Sequence, residues 1–354
     1  MACNTLLLRR KTFHYSLVRE VSWIIPAMQR KTDAEDIERF LDELLAQSWL
    51  RGGREKWANY VYHFTDVRNA VEILRSGKLL CRAELDSLKG MVVDNASHTV
   101  IANTAAYVHN YVRLYFRPRT PTQYRNEGIR PKDQRVLESH CPVPIFFLFD
   151  AKDILTRADS SFSDGNLAAA GASLYNTAET LAGFNFREIY HVGAIPEYAK
   201  SSIIYHRNAE VVIPNELDLL SLKFIFCRSP AEKDTLLHLL SDEQVRLWQR
   251  KILVDSRSQF YHRKWSFVET VEMTTRFATF TFSPDTTTPG AFNANLRFTD
   301  HDTGKQHEYV RSNLLANRKY AALVPTGVER YEVQLWLDDE LAFANAFYNE
   351  DLPF

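Results

Sequence analysis

The feature that most restricts the fold is a short apolar run that begins with a carboxylate. Glu210 is followed by the β-branched residues 211–213 and then by Pro214. Such a run predicts a short buried strand, which proline ends because it cannot donate a hydrogen bond to the ladder. A carboxylate at the mouth of a buried strand is costly unless it is solvated, paired or used in chemistry. Taken alone, Glu210 favours an ordinary strand-end ion pair over a catalytic role.

The bulk composition is that of a soluble globular protein with two domains and room for a short third piece. The chain has 354 residues, of which 45% are apolar and 25% are charged. The net charge of −1 gives no overall attraction to nucleic acid, so an anionic substrate must meet a local basic patch. Function is therefore expected to lie in local clusters of residues.

The cysteines and the N-terminus indicate a cytoplasmic protein without a membrane segment. The four cysteines are widely spaced and form no metal-ligand pattern, which is typical of reduced thiols and predicts no structural metal. The leucines at 6–8 are too short a run for a signal peptide or a membrane span.

The apolar pattern divides the chain into three parts. Residues 1–56 contain an amphipathic helix over 33–50 and form an N-terminal helical extension. Residues 57–264 mix strands and helices, with a helix expected over the alanine-rich stretch 167–182. Residues 267–354 alternate apolar and polar side chains with period two, which predicts an antiparallel β-sandwich. The predicted fold class is α+β.

Two stretches carry candidate functional side chains. His63 ends a predicted strand just before a helix, where Thr65 and Asn69 complete a small polar pocket; a lone histidine at such a place is usually structural. Farther on, arginines alternate with tyrosines over residues 107–126, a pattern suited to an unstacked base beside a phosphate backbone. The same pattern suits a solvated edge strand, and the residues alone leave the two readings even.

Four ordered segments together resemble the DarT family. They are Tyr62-His63-Phe64-Thr65 with Asn69, Asn110-Tyr111-Val112-Arg113-Leu114-Tyr115-Phe116 with Pro118-Arg119-Thr120-Pro121, the turn at 162–166, and Arg207-Asn208-Ala209-Glu210. DarT enzymes are toxins that transfer ADP-ribose from NAD onto bases of single-stranded DNA. The resemblance covers residues 57–264 and does not extend to the rest of the chain.

The resemblance implies an ADP-ribosyltransferase fold, in which a split mixed β-sheet holds NAD as a co-substrate. His63, Thr65 and Asn69 match contacts to NAD, and Glu210 matches the catalytic glutamate. The segment 201–208 matches the loop that presents the acceptor base. A fixed carboxylate suits this chemistry because positive charge develops on the sugar as the nicotinamide bond breaks.

One departure from the family pattern concerns the catalytic arginine, which the family carries just before the aromatic strand. This chain has no arginine between Arg82 and Arg113. Either residue could clamp NAD, with Arg82 slightly favoured, and Tyr115 would lie beside the cofactor. The residues expected to meet the nucleic acid are Arg117, Arg119, Tyr124, His206 and Arg207.

The resulting hypothesis is a bacterial toxin or anti-phage effector that modifies a base of single-stranded DNA and is restrained by a cognate antitoxin. RNA as the acceptor is the alternative within the same chemistry. Transfer to protein or water is a further alternative. An alternative that is not an enzyme is a protein of this fold that binds nucleic acid without transferase activity.

Overall fold

The computed structural model describes residues 29–88, 104–135, 140–169, 171–257, 259–283 and 290–349. Its α-helices are α1 Ala34–Leu45, α2 Val67–Ser76, α3 Arg82–Leu88, α4 Pro121–Asn126, α5 Ala151–Leu155, α6 Ala178–Ala182, α7 Phe186–Ile189, α8 Lys200–His206, α9 Pro230–Leu239 and α10 Asp242–Trp248. Its strands are β1 Tyr60–Asp66, β2 Lys78–Leu80, β3 Tyr111–Tyr115, β4 Pro144–Asp150, β5 Ser161–Ser163, β6 Glu210–Pro214, β7 Glu216–Asp218, β8 Leu222–Cys227, β9 Ile252–Val254, β10 Val268–Met273, β11 Phe277–Phe282, β12 Ala291–Asp300, β13 Gln306–Leu315, β14 Lys319–Leu323, β15 Tyr331–Leu337 and β16 Glu340–Phe347.

A seven-stranded mixed sheet organises the first part of the chain. Its strand order is β5-β6-β3-β1-β4-β8-β9. Neighbouring strands are antiparallel except for the parallel pair β8–β9. The mixed sheet with flanking helices agrees with the predicted core. The order places β3 between β6, which begins with Glu210, and β1, which carries His63.

Local sequence signals explain where the elements near the site begin and end. The Asp66 side chain accepts a hydrogen bond from the Arg68 amide and caps α2. Gly77 ends the same helix with φ at 74°, a conformation that glycine adopts without a steric penalty. Every residue of β4 but Asp150 is buried, as expected for a central strand covered on both faces. These signals fix the β1–α2 corner next to His63.

Helix α1 contributes to the same core as the central sheet. Ile37, Leu41 and Leu44 are buried in the main hydrophobic cluster. The helix ends at Leu45, and a 3₁₀ turn over Ser48–Leu50 follows it, so the helix is shorter than the expected span of 33–50. The first part of the predicted N-terminal extension lies outside the described residues.

The C-terminal part consists of antiparallel sheets with a second hydrophobic core. One sheet has the order β10-β11-β14 and the other β13-β12-β15-β16. Phe280 of the first sheet and Phe343 of the second are both fully buried, and their ring centroids lie 5.7 Å apart. The antiparallel pairing agrees with the period-two alternation of the sequence.

Charged contacts join the C-terminal sheets to the central domain. Glu340 on β16 pairs with Arg68 at 3.3 Å and with Arg135 at 3.2 Å. The Ala344 amide donates to the Thr235 hydroxyl of α9 at 3.2 Å. These contacts place the C-terminal sheets against α2 and α9.

The predicted helix over residues 167–182 is wrong for most of its length. Among the described residues of this range only Ala178–Ala182 is helical, and residues 167–169 and 171–177 form turns and irregular structure. Tyr175 exchanges backbone hydrogen bonds with Phe162 on β5, so this part of the chain continues the sheet edge. An alanine-rich composition favours a helix, but these tertiary contacts override the preference.

Candidate active site at the β3–β6 seam

Glu210 lies where three strands of the central sheet meet. Its Cα is in register with Tyr115 on β3 and with Ser163 on β5, and Tyr115 is in register with Tyr62 on β1. Residues in register point to the same face of a sheet. Glu210, Tyr115 and Tyr62 therefore share a face, and Arg113 belongs to it as well, because it lies two residues from Tyr115.

The Glu210 carboxylate is fully buried and held by three donors. Arg113 donates through Nε to Oε2 at 2.5 Å and through Nη2 to Oε1 at 2.6 Å. The Leu167 amide donates to Oε1 at 3.1 Å. A bidentate guanidinium–carboxylate pair fixes the carboxylate plane as well as its position. Glu210 is thus an oriented carboxylate whose own surface is closed to water.

The environment of the pair favours the charged form of Arg113. Burial lowers the pKa of Arg113, but the Glu210 charge and hydrogen bonds outweigh it, and the pKa is raised overall. The Arg113 side chain is 31% exposed while that of Glu210 is 0% exposed. The pair is therefore open to solvent or a ligand on the arginine side only. Pairing alone is also what an ordinary strand-end glutamate would show.

His63 contacts the same arginine through its backbone. The ring Nδ1 lies 3.2 Å from the Arg113 carbonyl oxygen. Because a carbonyl only accepts, Nδ1 carries the hydrogen, and Nε2 of the neutral ring is left with a lone pair. Burial lowers the pKa of His63 to about 4, so the ring is neutral at physiological pH.

Arg113 contacts both His63, through its carbonyl, and Glu210, through its side chain. In the described part of the chain His63 and Glu210 form no direct hydrogen bond with each other. By strand alternation, the His63 side chain starts from the face opposite Tyr62. Its ring nevertheless reaches the backbone of β3, with which β1 forms a single registered pair. Arg113 is therefore the physical link between the two residues that the sequence singled out.

The remaining predicted NAD contacts fall in two places. Asn69 donates to the Thr65 hydroxyl at 3.3 Å, which joins the two side chains at the start of α2. Arg82 begins α3, and its Nη1 lies 4.0 Å from Asp86. Of the two arginines that the sequence left open, the structure brings Arg113 to Glu210. A role of Arg82 toward NAD stays a prediction.

Arg117 does not lie where a phosphate could reach it, which corrects its predicted contact with nucleic acid. The side chain is 1% exposed, and it donates to the carbonyls of Pro118, Ile189 and His191. Burial and the neighbouring Arg207 lower its pKa. Its hydrogen bonds tie β3 to the segment after α7, so the role that it fills is structural.

The Arg207 side chain contacts the backbone of Arg119. Arg207 donates to the Arg119 carbonyl at 3.1 Å, and Arg119 donates through Nε to the Tyr261 carbonyl at 3.0 Å. Among the described residues neither forms an ion pair with a carboxylate. Burial, followed by the charge of Arg119, lowers the pKa of Arg207. This corner thus carries positive charge that no acidic side chain in the described ranges pairs with.

The segment expected to present the acceptor is mostly helical, since α8 spans Lys200–His206. Its end is fastened to the turn after β5: the Tyr205 hydroxyl donates to Asp164 at 3.0 Å, and His206 Nδ1 donates to the Asp164 carbonyl at 2.6 Å. A Cβ built on Gly165 would lie 2.2 Å from the Tyr205 ring, so only glycine fits beneath it. Tyr124, on α4, is 45% exposed.

Two contacts near Glu210 were not anticipated from the sequence. The Leu167 amide is a backbone donor, and no residue type signals such a role. Thr122 donates to the Asn208 side chain at 3.2 Å and so connects α4 to the residue two positions before Glu210. The polar Asn208 before a buried strand was the available signal, because such a side chain needs a partner.

The described ranges contain neither a cluster of metal ligands nor a membrane-spanning helix. Within the described ranges, no three His, Cys, Asp or Glu side chains converge as metal ligands. No helix in those ranges combines the length and apolarity needed to cross a bilayer.

Solved structures of DarT proteins are similar to part of this chain. Thermus sp. 2.9 DarT in complex with ADP-ribosylated ssDNA is 17% identical, with a TM-score of 0.44, over 58% of this chain and 96% of that one. The same protein in complex with NAD+ is 17% identical, with a TM-score of 0.43, over 58% and 98%. Thermosipho africanus DarTG in complex with ADP-ribose is 17% identical, with a TM-score of 0.43, over 61% and 53%.

The family is established from the sequence, because 17% identity and TM-scores of 0.43–0.44 are too low to establish it from structure. Among curated proteins, none matches the chain. The family model described as "ssDNA thymidine ADP-ribosyltransferase, DarT" matches residues 62–262, more than half of the chain, and includes both His63 and Glu210. The chain therefore belongs to the DarT family and is an ADP-ribosyltransferase.

Proposed function

We propose that this protein transfers ADP-ribose from NAD onto a thymine base of single-stranded DNA, with Glu210 as the catalytic carboxylate. The observation that carries the proposal is the fully buried Glu210 carboxylate, held by a bidentate pair with Arg113 one strand away from the neutral His63 ring. A carboxylate with this degree of fixation is preorganised for electrostatic catalysis.

The residues present fit NAD as a co-substrate. The His63 ring offers a lone pair at Nε2, which can accept a hydrogen bond from a ribose hydroxyl, and its Nδ1–H is committed to the Arg113 carbonyl. Thr65 and Asn69 add hydroxyl and amide groups at the N-terminal end of α2. We propose that these three side chains orient the nicotinamide end of the co-substrate, and that Arg82 contributes to holding its phosphates.

The carboxylate acts on the charge that forms during the reaction. NAD supplies an ADP-ribose whose bond to nicotinamide breaks as positive charge develops on the ribose. The Glu210 carboxylate itself is shielded from water, and there its negative charge stabilises such a cation more strongly than it would in solvent. It can also accept a proton from the base nitrogen that attacks. The two hydrogen bonds from Arg113 fix the rotation of the carboxylate for both steps.

The acceptor strand meets the positively charged corner next to Glu210. Arg119 and Arg207 have no acidic partners in the described chain, and Asn208 connects them to the strand of Glu210. Phosphates of a single strand would supply the missing negative charge, and the exposed Tyr124 ring offers a surface for a base. We propose that α8, with His206 at its end, positions the target base.

The experiment that tests this proposal is transfer from labelled NAD to defined acceptors. Purified protein is incubated with NAD and thymine-containing single-stranded DNA, the matched RNA, or protein. We expect label on the DNA, and its loss in Glu210→Gln. Glu216→Gln, which removes an exposed carboxylate of β7, is the matched control and should remain active. Transfer by Glu210→Gln at the wild-type rate would contradict the role of Glu210, and label on RNA or protein alone would contradict the acceptor.

We further propose that the protein acts in the bacterial cytoplasm as a toxin or anti-phage effector and is restrained by a cognate antitoxin. Adducts on template thymines would obstruct replication of host or phage DNA, so an unrestrained enzyme would harm its own cell. Induced expression should stop growth and label cellular DNA, whereas Glu210→Gln should do neither. Normal growth with labelled DNA would contradict the toxin role.

A further inference from the structure

One carboxylate of the C-terminal sheets reaches the corner that carries the proposed NAD contacts. Glu340 is the first residue of β16 and follows a tight turn at 338–339, where both residues have positive φ. Its Oε2 lies 3.3 Å from Arg68 Nη2 on α2, and its Oε1 lies 3.2 Å from Arg135 Nη1. Glu340 therefore lies between two cations of the central domain.

The surroundings of Glu340 keep its carboxylate charged and oriented. His140 Nε2 accepts a hydrogen bond from the Arg130 amide at 3.2 Å, so the hydrogen of the ring lies on Nδ1, which is 3.5 Å from Glu340 Oε1. Burial raises the pKa of Glu340, but His140 and the two guanidiniums outweigh it and lower the pKa overall. Arg135 also donates to the Asp338 carbonyl at 3.0 Å and so fixes the turn that carries Glu340.

Arg68 carries the contact from Glu340 to the first turn of α2. Its Nε donates to Asp66 Oδ1 at 2.8 Å, and the same oxygen accepts the Arg68 amide at 3.0 Å as the cap of the helix. Thr65 precedes this cap and Asn69 follows Arg68, and the two side chains are joined by a hydrogen bond of 3.3 Å. The position of the Arg68 guanidinium is therefore coupled to the cap and to both proposed NAD contacts.

Loss of the Glu340 charge would change the forces on Arg68. The guanidiniums of Arg68 and Arg135 share this carboxylate, and they would repel each other without it. Of the described carboxylates, only Asp66 would still pair with Arg68. The guanidinium would then be drawn toward Asp66 Oδ1, where it competes with the amide that the same oxygen caps. The first turn of α2 would shift as a result.

We propose that Glu340 is a positioning residue for the NAD site and that the C-terminal sheets thereby set the affinity for the co-substrate. Glu340 holds Arg68, and Arg68 holds the cap of α2, so that Thr65 and Asn69 meet NAD in a fixed arrangement. The proposal rests on the proposed function, because it requires NAD to bind at these side chains. Arg68 lies within residues 62–262, which the family model matches, whereas Glu340 lies outside them. The C-terminal sheets thus gain a role in the reaction.

The test is a double-mutant cycle in the full-length protein with NAD binding as the readout. Dissociation constants for NAD are measured by isothermal titration calorimetry without an acceptor strand. Glu340→Gln should weaken binding about five- to tenfold. Arg68→Gln should weaken it at least as much, and the double variant should be no worse than Arg68→Gln, because Glu340 acts through Arg68. In transfer assays with Glu340→Gln, KM for NAD should rise by the same factor while kcat is retained.

Glu332→Gln is the matched control. Glu332 on β15 is 27% exposed and lies 3.7 Å from His238 Nε2 on α9, so it also links the C-terminal sheets to the central domain, at a helix without proposed NAD contacts. This variant should bind NAD like the wild type, whatever its melting temperature. Hydrogen exchange of the amides in the first turn of α2 should accelerate in Glu340→Gln and not in Glu332→Gln.

Three results would overturn the positioning role of Glu340. They are wild-type affinity for NAD in Glu340→Gln, an equal loss of affinity in Glu332→Gln, and additive effects of the Arg68 and Glu340 substitutions. The last result would show that the two residues act independently.

Failure of this inference can be told apart from failure of the proposed function. If NAD binds and the cycle shows coupling but no acceptor receives ADP-ribose, the proposed function fails and the positioning role stands. If DNA is modified and Glu340→Gln has the wild-type affinity and KM for NAD, the positioning role fails and the proposed function stands.

Discussion

Removing the arginine that holds Glu210 should destabilise the protein more than removing the glutamate. In Arg113→Gln, the carboxylate keeps the Leu167 amide but remains 0% exposed and loses its counter-charge. In Glu210→Gln, the unpaired guanidinium is 31% exposed and can be hydrated. Breaking a buried pair costs about 3–5 kcal/mol, and the partial exposure of Arg113 reduces this to about 2–3 kcal/mol for Arg113→Gln. For Glu210→Gln we expect about 1 kcal/mol, the scale of lost hydrogen bonds.

The double variant provides the decisive comparison. Arg113→Gln/Glu210→Gln buries no unpaired charge, so it should be more stable than Arg113→Gln alone, with a coupling free energy of about 2 kcal/mol. Arg113→Lys keeps the charge but loses the bidentate geometry, and it should cost about 1 kcal/mol. The free energies of unfolding would be measured by urea denaturation followed by tryptophan fluorescence. Additive effects of the two substitutions would refute the view that Glu210 depends on Arg113 as its counter-charge.

Three further outcomes are expected. Glu210→Gln should lower the rate of ADP-ribose transfer by about 10²–10³-fold or more at unchanged fold, as measured by initial rates and circular dichroism. Burial lowers the pKa of His63 to about 4, so between pH 6.5 and 4 the unfolded chain binds a proton that the folded protein excludes. The free energy of unfolding should therefore fall as the pH drops through this window, by about 1.4 kcal/mol per pH unit. His63→Gln should lose that share of the slope in urea titrations, while His262, whose pKa burial also lowers to about 4, retains its own. Gly165→Ala should displace Tyr205, because a Cβ there would overlap the ring. Since this turn supports α8, the rate of ADP-ribose transfer should fall by more than the change in melting temperature accounts for.

The elements with strong local signals were predictable from the sequence. The run 211–213 with its terminal proline predicts strand β6, which the structure shows as Glu210–Pro214. The helix expected directly after the strand of His63 is α2. The alternation after residue 267 predicted the antiparallel C-terminal sheets. In each case the local preference and the tertiary environment agree, which is the condition under which sequence patterns are informative.

The parts that failed depend on long-range contacts. The stretch 167–177 has a helical composition, but its backbone is used by β5 and by the Glu210 carboxylate. Arg117 belongs to an alternating arginine–tyrosine pattern that suits nucleic acid, yet the fold turns it inward to carbonyls that lie more than seventy positions away. Likewise, the pairing of Arg113 with Glu210 depends on the register of β3 against β6, which no local pattern encodes.

The central claim is that Glu210, held by Arg113, directs ADP-ribose onto a base of a single DNA strand. The most direct test is mass spectrometry of a thymine-containing oligonucleotide after reaction with NAD. We predict the mass gain of one ADP-ribose, located on a thymine, with wild-type protein, and an unmodified oligonucleotide with folded Glu210→Gln. An unmodified oligonucleotide with the wild type, or the same adduct with Glu210→Gln, would contradict the account.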